Sequence, residues 1–121
     1  MKRLDNFEPE QVEALAKIGH PKHLDKMASH KNSYYRHYAA QYGSEKNQSK
    51  LVKDPDVHVR TTVAEFGNDK HRDTLVNDED PQVLRTVAQY GNDSHRKKLL
   101  DHPSDSVRYA AAYSRGNAYE D

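Results

Sequence analysis

The chain of 121 residues has the length of one domain, and its 34% apolar content and mean hydropathy of -1.16 allow only a thin core. Nineteen basic residues balance nineteen acidic ones, which excludes a global field drawing the chain to nucleic acid or to an anionic membrane. The absence of cysteine excludes disulfides, thiolate nucleophiles, cysteine-held iron–sulfur clusters and cysteine-type zinc sites, and it fits a reducing compartment.

In chain order, the opening "MKRLDNFEPEQVEALAKIG" has early basic residues but no uninterrupted apolar segment. Neither a secretory signal nor a membrane span is legible there, and a cytoplasmic location is expected. From Arg3 onward the chain repeats itself at a step of 24 residues. Gly19, Gly43, Gly67 and Gly91 form one column, and Ala16, Ala40, Ala64, Ala88 and Ala112 form another. Met27 stands in register with Leu51, Leu75 and Leu99, and Tyr35 with Val59, Val83 and Val107. Ile18, Tyr42, Phe66 and Tyr90 make a fifth column. The units span about 3–26, 27–50, 51–74, 75–98 and 99–121, within one domain covering 1–121. Recurrence at such a period is the signature of a solenoid.

Within a unit the punctuation is helical. Asp54-Pro55 and Asp80-Pro81 place an N-cap acceptor before a proline at the first helical position, and His102-Pro103 does so less well. From Pro55, Val59, Val63 and Phe66 recur at helical spacing. A helix of about eleven residues is expected, ended by Gly67 in the left-handed conformation. Asn68-Asp69 and Asn92-Asp93 then cap a shorter helix, α or 3₁₀, running to Leu75-Val76 or Leu99-Leu100. On a helical wheel Val59, Val63 and Phe66 form the buried stripe, with Arg60 and Ala64 about a quarter-turn aside. The alanine column marks where long helices of adjacent units approach closely. The few apolar side chains of one unit cannot offset the entropy of ordering it, so stacking must supply a continuous core.

The pattern Asp-Pro-x-x-x-Val-Arg-x-x-x-Ala in "DPDVHVRTTVA", approached by "HPSDSVRYAAA", resembles HEAT-like repeats of the short kind. The period most resembles the leucine-rich variant repeat. The resemblance covers about Met27 to Gly116, with Arg3 to Lys26 a weaker first unit. It implies an all-α fold, a right-handed α-solenoid of about five units that each pair a long α-helix with a short 3₁₀-type helix. HEAT-like repeats serve as protein-binding scaffolds, as parts of enzymes acting on bound cofactors and, in one branch, as DNA-repair glycosylases, so the fold does not decide the function. Two departures stand out. The family's arginine is present as Arg36, Arg60 and Arg108, but the fourth unit has Leu84 there and Arg85 next door. The last unit carries an extra residue before Gly116 and is expected to form a ragged cap.

The outward positions of the long helices are the candidate partner-binding face. They are Tyr34, His37, Tyr38 and Gln41; His58, Thr61, Thr62 and Glu65; Gln82, Arg85, Thr86 and Gln89; and Ser106, Tyr109, Ala110 and Tyr113. Tyrosine offers a stiff contact area with one polar tip and recurs at interface hot spots. The structural alternative is that these rings pack over neighbouring helices because valine and leucine are scarce. Among the eight histidines, His23, His71 and His95 share a column. Members of a column stand on the order of 10 Å apart, too far for one zinc with ligands at about 2.0–2.1 Å. No metal site is expected; the rings pair with nearby acids or cover helix ends. The arginine column could contact phosphates, but acidic turns close by favour ion pairs between repeats. The basic run "HRKKLL", His95 to Leu100, is read as a solvated patch. No catalytic constellation and no phosphate-cradling loop is visible. The expectation is a non-enzymatic scaffold that binds a protein or peptide and needs no cofactor. A nucleic-acid-binding module is the rival.

Overall fold

A computed structural model describes residues 7–114; the Arg3 start of the first unit and the Gly116 end of the last lie outside the described residues. Nine α-helices and no strand are present among them: α1(Pro9–Ile18), α2(Pro21–Ala28), α3(Ser33–Tyr42), α4(Glu45–Leu51), α5(Val57–Phe66), α6(Asp69–Leu75), α7(Pro81–Tyr90), α8(Asp93–Leu99) and α9(Asp105–Tyr113). The protein is all-helical. Ten-residue helices alternate with helices of seven or eight, and α9 has nine. The short elements are α, which decides between the two forms left open by the sequence. Each odd-numbered helix packs on the next odd-numbered one, α1 on α3, α3 on α5, α5 on α7 and α7 on α9. From α4 onward, each short helix is wedged against the long helices before and after it.

The core follows three of the columns. Met27, Leu51, Leu75 and Leu99 are buried, as are Tyr35, Val59, Val83 and Val107. Ala16, Ala40, Ala64 and Ala88 have no exposed surface, and their small side chains let the elements above them close in. In the last unit Ala111 is buried and Ala112 is exposed.

Phe66, expected in the buried stripe, is a correction, and its column shares the exposure. Ile18 is 74% exposed, Phe66 44% and Tyr90 42%, and Tyr42 is half-buried. Each is the last residue of its long helix, where the terminal carbonyls need donors. After α3, α5 and α7 the next short helix supplies them with polar side chains, whereas Leu24 holds that place after α1. Arg72 donates to the carbonyls of Ala64 at 2.7 Å and Glu65 at 3.1 Å, Arg96 donates to Ala88, and Gln48 donates to Ala40. A polar plug therefore sits under the helix end, and the aromatic ring is turned to the rim.

The glycines are a second correction. Among the described glycines only Gly19 has a positive φ, at 77°. Gly67 and Gly91 are extended, with ψ of -172° and -170°. Glycine is needed there for space. A Cβ on Gly67 would lie 2.6 Å from the Val63 carbonyl oxygen and 2.8 Å from His71 Nδ1, and one on Gly91 would lie 2.6 Å from His95 Nδ1.

Asp80-Pro81 begins a helix as expected, with the Asp80 carboxylate accepting from Gln82 N–H. Asp54-Pro55 does not: α5 starts at Val57 with Asp56 as N-cap. The Asp54 carboxylate instead takes the Arg36 guanidinium from the preceding unit and the Asp56 N–H. Likewise α9 starts at Asp105, two residues after Pro103, and the His102 ring accepts the Ser104 N–H within the turn. The long helices are thus ten residues rather than eleven.

The arginine column resolves into inter-unit pairs. Arg36 Nε lies 2.7 Å from Asp54 and Arg60 Nε 2.8 Å from Asp78, while each also donates to a carbonyl of the turn before its own helix. Arg108 donates to the His102 carbonyl and pairs with Asp105 on its own helix. The interrupted position explains itself. Leu84 would face the turn residue His102, and Val12 stands in register before His30. Wherever the turn residue is aspartate the preceding unit holds arginine, and wherever it is histidine the preceding unit holds a buried apolar side chain.

Candidate functional site

The long helices bring the outward residues into two groups rather than one continuous face. On α3, the Tyr34 and Tyr38 rings meet edge to face at 5.1 Å with their hydroxyls 3.3 Å apart, and His37 sits against Tyr38 at 4.8 Å. Tyr34 is 38% exposed, but Tyr38 is half-buried and packs on the core. The hydrogen bond with Tyr34, with burial behind it, pushes the Tyr38 phenol above its ordinary range. Gln41 is half-buried one turn further along. The structural alternative thus describes Tyr38, which belongs to the wall of the fold.

The second group lies between α7 and α9. Tyr109 is 67% and Tyr113 51% exposed, with ring centroids 4.5 Å apart at 32°. With Gln82, Arg85, Thr86, Gln89 and Ala110 they line a groove of about 550 Å³. Arg85 donates to Ser106 Oγ at 3.1 Å and has no carboxylate partner among the described residues. Among the described residues it is the single charged side chain lining that groove. A guanidinium beside two exposed phenols offers an ionic anchor and a flat apolar surface together.

Between the groups, α5 presents small or occupied side chains. Thr62, placed outward by the wheel, is buried; its hydroxyl donates to the His58 carbonyl and lies 2.8 Å from His37 Nδ1. Thr61 donates to the Val57 carbonyl, and His58 Nδ1 lies 3.4 Å from the Gln82 amide. Glu65 is half-buried. The pairs His37–Thr62, His58–Gln82 and Arg85–Ser106 stitch successive long helices across the face. Burial, the largest influence, holds the His37 imidazole below its ordinary value, and the carboxylates of Glu13, Asp56 and Glu65 offset this only in part.

The histidine column caps helices. His71 Nδ1 accepts the Asn68 N–H at 3.1 Å while Asn68 Oδ1 accepts the His71 N–H at 3.0 Å; Asn92 and His95 repeat the arrangement. Ser44 and Asn47 build the same reciprocal box in the second unit. The far edge of each side chain reaches back one unit, His95 to Asp73, His71 to Ser49 and Asn47 to Asp25. In the first unit the His20 ring takes the Lys22 N–H, and His23 Nδ1 is buried without a hydrogen-bond partner among the described residues. Among the described residues no three of His, Asp or Glu gather as metal ligands, and no helix is long and apolar enough to cross a membrane. In the basic run Arg96 is tied to Asp93 and to the carbonyls of Ala88 and Gly91, leaving Lys97 and Lys98 exposed.

Sequence reasoning missed the exposed row of Ile18, Phe66 and Tyr90. Its signal was there: each immediately precedes the terminal glycine of its helix. The chain matches no family model, no curated protein and no solved structure.

Proposed function

We propose that the chain is a non-enzymatic binding module, a right-handed α-solenoid of five 24-residue units that holds a protein or peptide on its tyrosine-bearing helical face. The observation that carries the reading is the α7–α9 groove, with Tyr109 and Tyr113 exposed side by side opposite an Arg85 that no carboxylate among the described residues engages. The serial packing of α1, α3, α5, α7 and α9, and the bonds that recur 24 residues on, support the solenoid. The groove suits an extended segment that sets an acidic side chain on Arg85 and an apolar one against the two rings. The nucleic-acid reading stands second. Arg36, Arg60, Arg72, Arg96 and Arg108 are all spent on internal carbonyls and carboxylates, which weighs against a phosphate-binding row.

Selection from a displayed peptide library on the immobilised protein tests this. Enriched peptides should carry Asp or Glu, and they should lose at least tenfold in affinity on both Tyr109→Ala/Tyr113→Ala and Arg85→Gln. Because these side chains are exposed, stability should stay within about 0.5 kcal/mol. Enriched peptides indifferent to both variants, or none at all, would refute the groove. DNA binding that weakens steeply with salt would favour the second reading.

A further inference from the structure

We propose that the Asn68–His71 capping box is an acid-sensitive joint: protonation of the His71 imidazole in mild acid releases the first turn of α6 and loosens the middle of the chain. The Nδ1 lone pair is committed to the Asn68 N–H, so the ring is neutral with its proton on Nε2, donating to Ser49 Oγ at 2.9 Å. A second proton can go only to Nδ1. There it would meet an N–H donor at a helix N-terminus, where the aligned peptide dipoles already disfavour positive charge. The ring cannot swing aside. His71 is 4% exposed, and Gly67 packs so closely that even a Cβ there would lie 2.8 Å from Nδ1.

The groups around the ring point the same way. Burial is the strongest influence and pushes the His71 imidazole below its ordinary 6.5; Arg72 and Lys70 on α6 add to it, and Glu45 on α4 opposes it without winning. On the packed long helices Arg60 bonds Asp78 and Arg85 bonds Ser106, and Glu65 on α5 is half-buried. His95 differs at this point, since its Nε2 lies 2.7 Å from the Asp73 carboxylate, where the His71 ring has the Ser49 hydroxyl and a backbone hydrogen bond with Glu45.

Losing this cap reaches beyond α6. Arg72, four residues from the cap, closes the carbonyls at the end of α5, and Asp69 accepts from the Asn92 side chain of the next unit. The chain also holds its own control. Asn47 performs the same task with an amide that does not titrate.

The test compares wild type with His71→Asn by urea denaturation at pH 7.5 and 5.5. An imidazole with a depressed folded value contributes stability that is present above about pH 6.5 and lost as pH falls below it. The wild-type folded-to-unfolded ratio should therefore fall up to about tenfold more than that of His71→Asn, a limit set by the unfolded histidine alone. The other seven histidines are common to both proteins, so the comparison isolates His71. Ring ¹⁵N shifts and amide exchange on the wild-type protein give a second measure. Nδ1 of His71 should be unprotonated at pH 7.5, and protection of the Asn68 amide should disappear as the ring titrates. Equal pH dependence of the two proteins within twofold, or an Asn68 amide that stays protected while His71 protonates, would overturn the proposal. Should His71→Asn not fold, the wild-type exchange measurement decides alone.

Discussion

Replacing Arg60 by leucine removes a guanidinium whose side chain is 19% exposed from a carboxylate that is 10% exposed. Three bonds go with it, to Asp78 Oδ2 at 2.8 Å, to Asp78 Oδ1 at 3.4 Å and to the Asp54 carbonyl at 2.7 Å. Asp78 keeps only the Asp80 N–H as a donor. Charge-assisted bonds contribute about 1.5–3 kcal/mol each, and breaking a buried pair costs about 3–5 kcal/mol. The partial exposure of Arg60 places Arg60→Leu near the lower end, about 3 kcal/mol, or on the order of 10 °C in Tm for a chain of this size. Adding Asp78→His should restore part of the loss, because the double variant reproduces the natural pairing of buried Leu84 with His102, whose ring accepts the Ser104 N–H at 3.0 Å. Asp78→His alone leaves Arg60 without its carboxylate and is destabilising. Urea denaturation of the four proteins at pH 7.5, followed by circular dichroism, should give a favourable coupling of at least about 1.5 kcal/mol. Additivity within about 0.5 kcal/mol, the behaviour of independent sites, would refute the reasoning that these two positions are chosen together.

Other outcomes follow from the same contacts. Gly67→Ala should cost about 1–3 kcal/mol by pressing a methyl group on the Val63 carbonyl and the His71 ring; a neutral result by thermal melting would show that the ring yields. Asp56→Ala should cost about 1–2 kcal/mol at neutral pH through loss of the α5 cap. Burial alone would raise the Asp56 carboxyl, but the N–H groups of His58 and Val59 and the Ser33 hydroxyl outweigh it and hold it below its ordinary 3.8. Its contribution is therefore present above that pH and lost below it, so the gap between variant and wild type should narrow as pH falls through 3.8 and beyond. Leu75→Ala, at a side chain 1% exposed between long helices, should cost about 2–5 kcal/mol in urea denaturation.

The features readable in the sequence are those fixed by local rules. Helical alternation, the caps Asn68 and Asn92 and the buried leucine, valine and alanine columns follow from apolar spacing and from the donors left at a helix start. What was misread depends on contacts distant in the chain. Asp54 looks like a helix cap until Arg36, 18 residues earlier, claims its carboxylate. Gly67 looks like a left-handed stop, but it is required by a histidine ring folded back over it. Phe66 fits the apolar stripe, yet the Arg72 guanidinium already bonds the carbonyls beneath that helix end. In the candidate face the wheel could not see that Thr62 bonds His37, or that Tyr38 leans on the core while Tyr109 and Tyr113 are more than half exposed.

The central claim is that each pair of helices is held by the next, in series along the chain. Nuclear Overhauser contacts in the ¹³C,¹⁵N-labelled protein test it most directly. Side-chain contacts should join α1 to α3, α3 to α5, α5 to α7 and α7 to α9, with none joining α1 or α3 to α9. Contacts that close α9 onto α1 or α3, or strand-type backbone contacts within 33–113, would contradict the account.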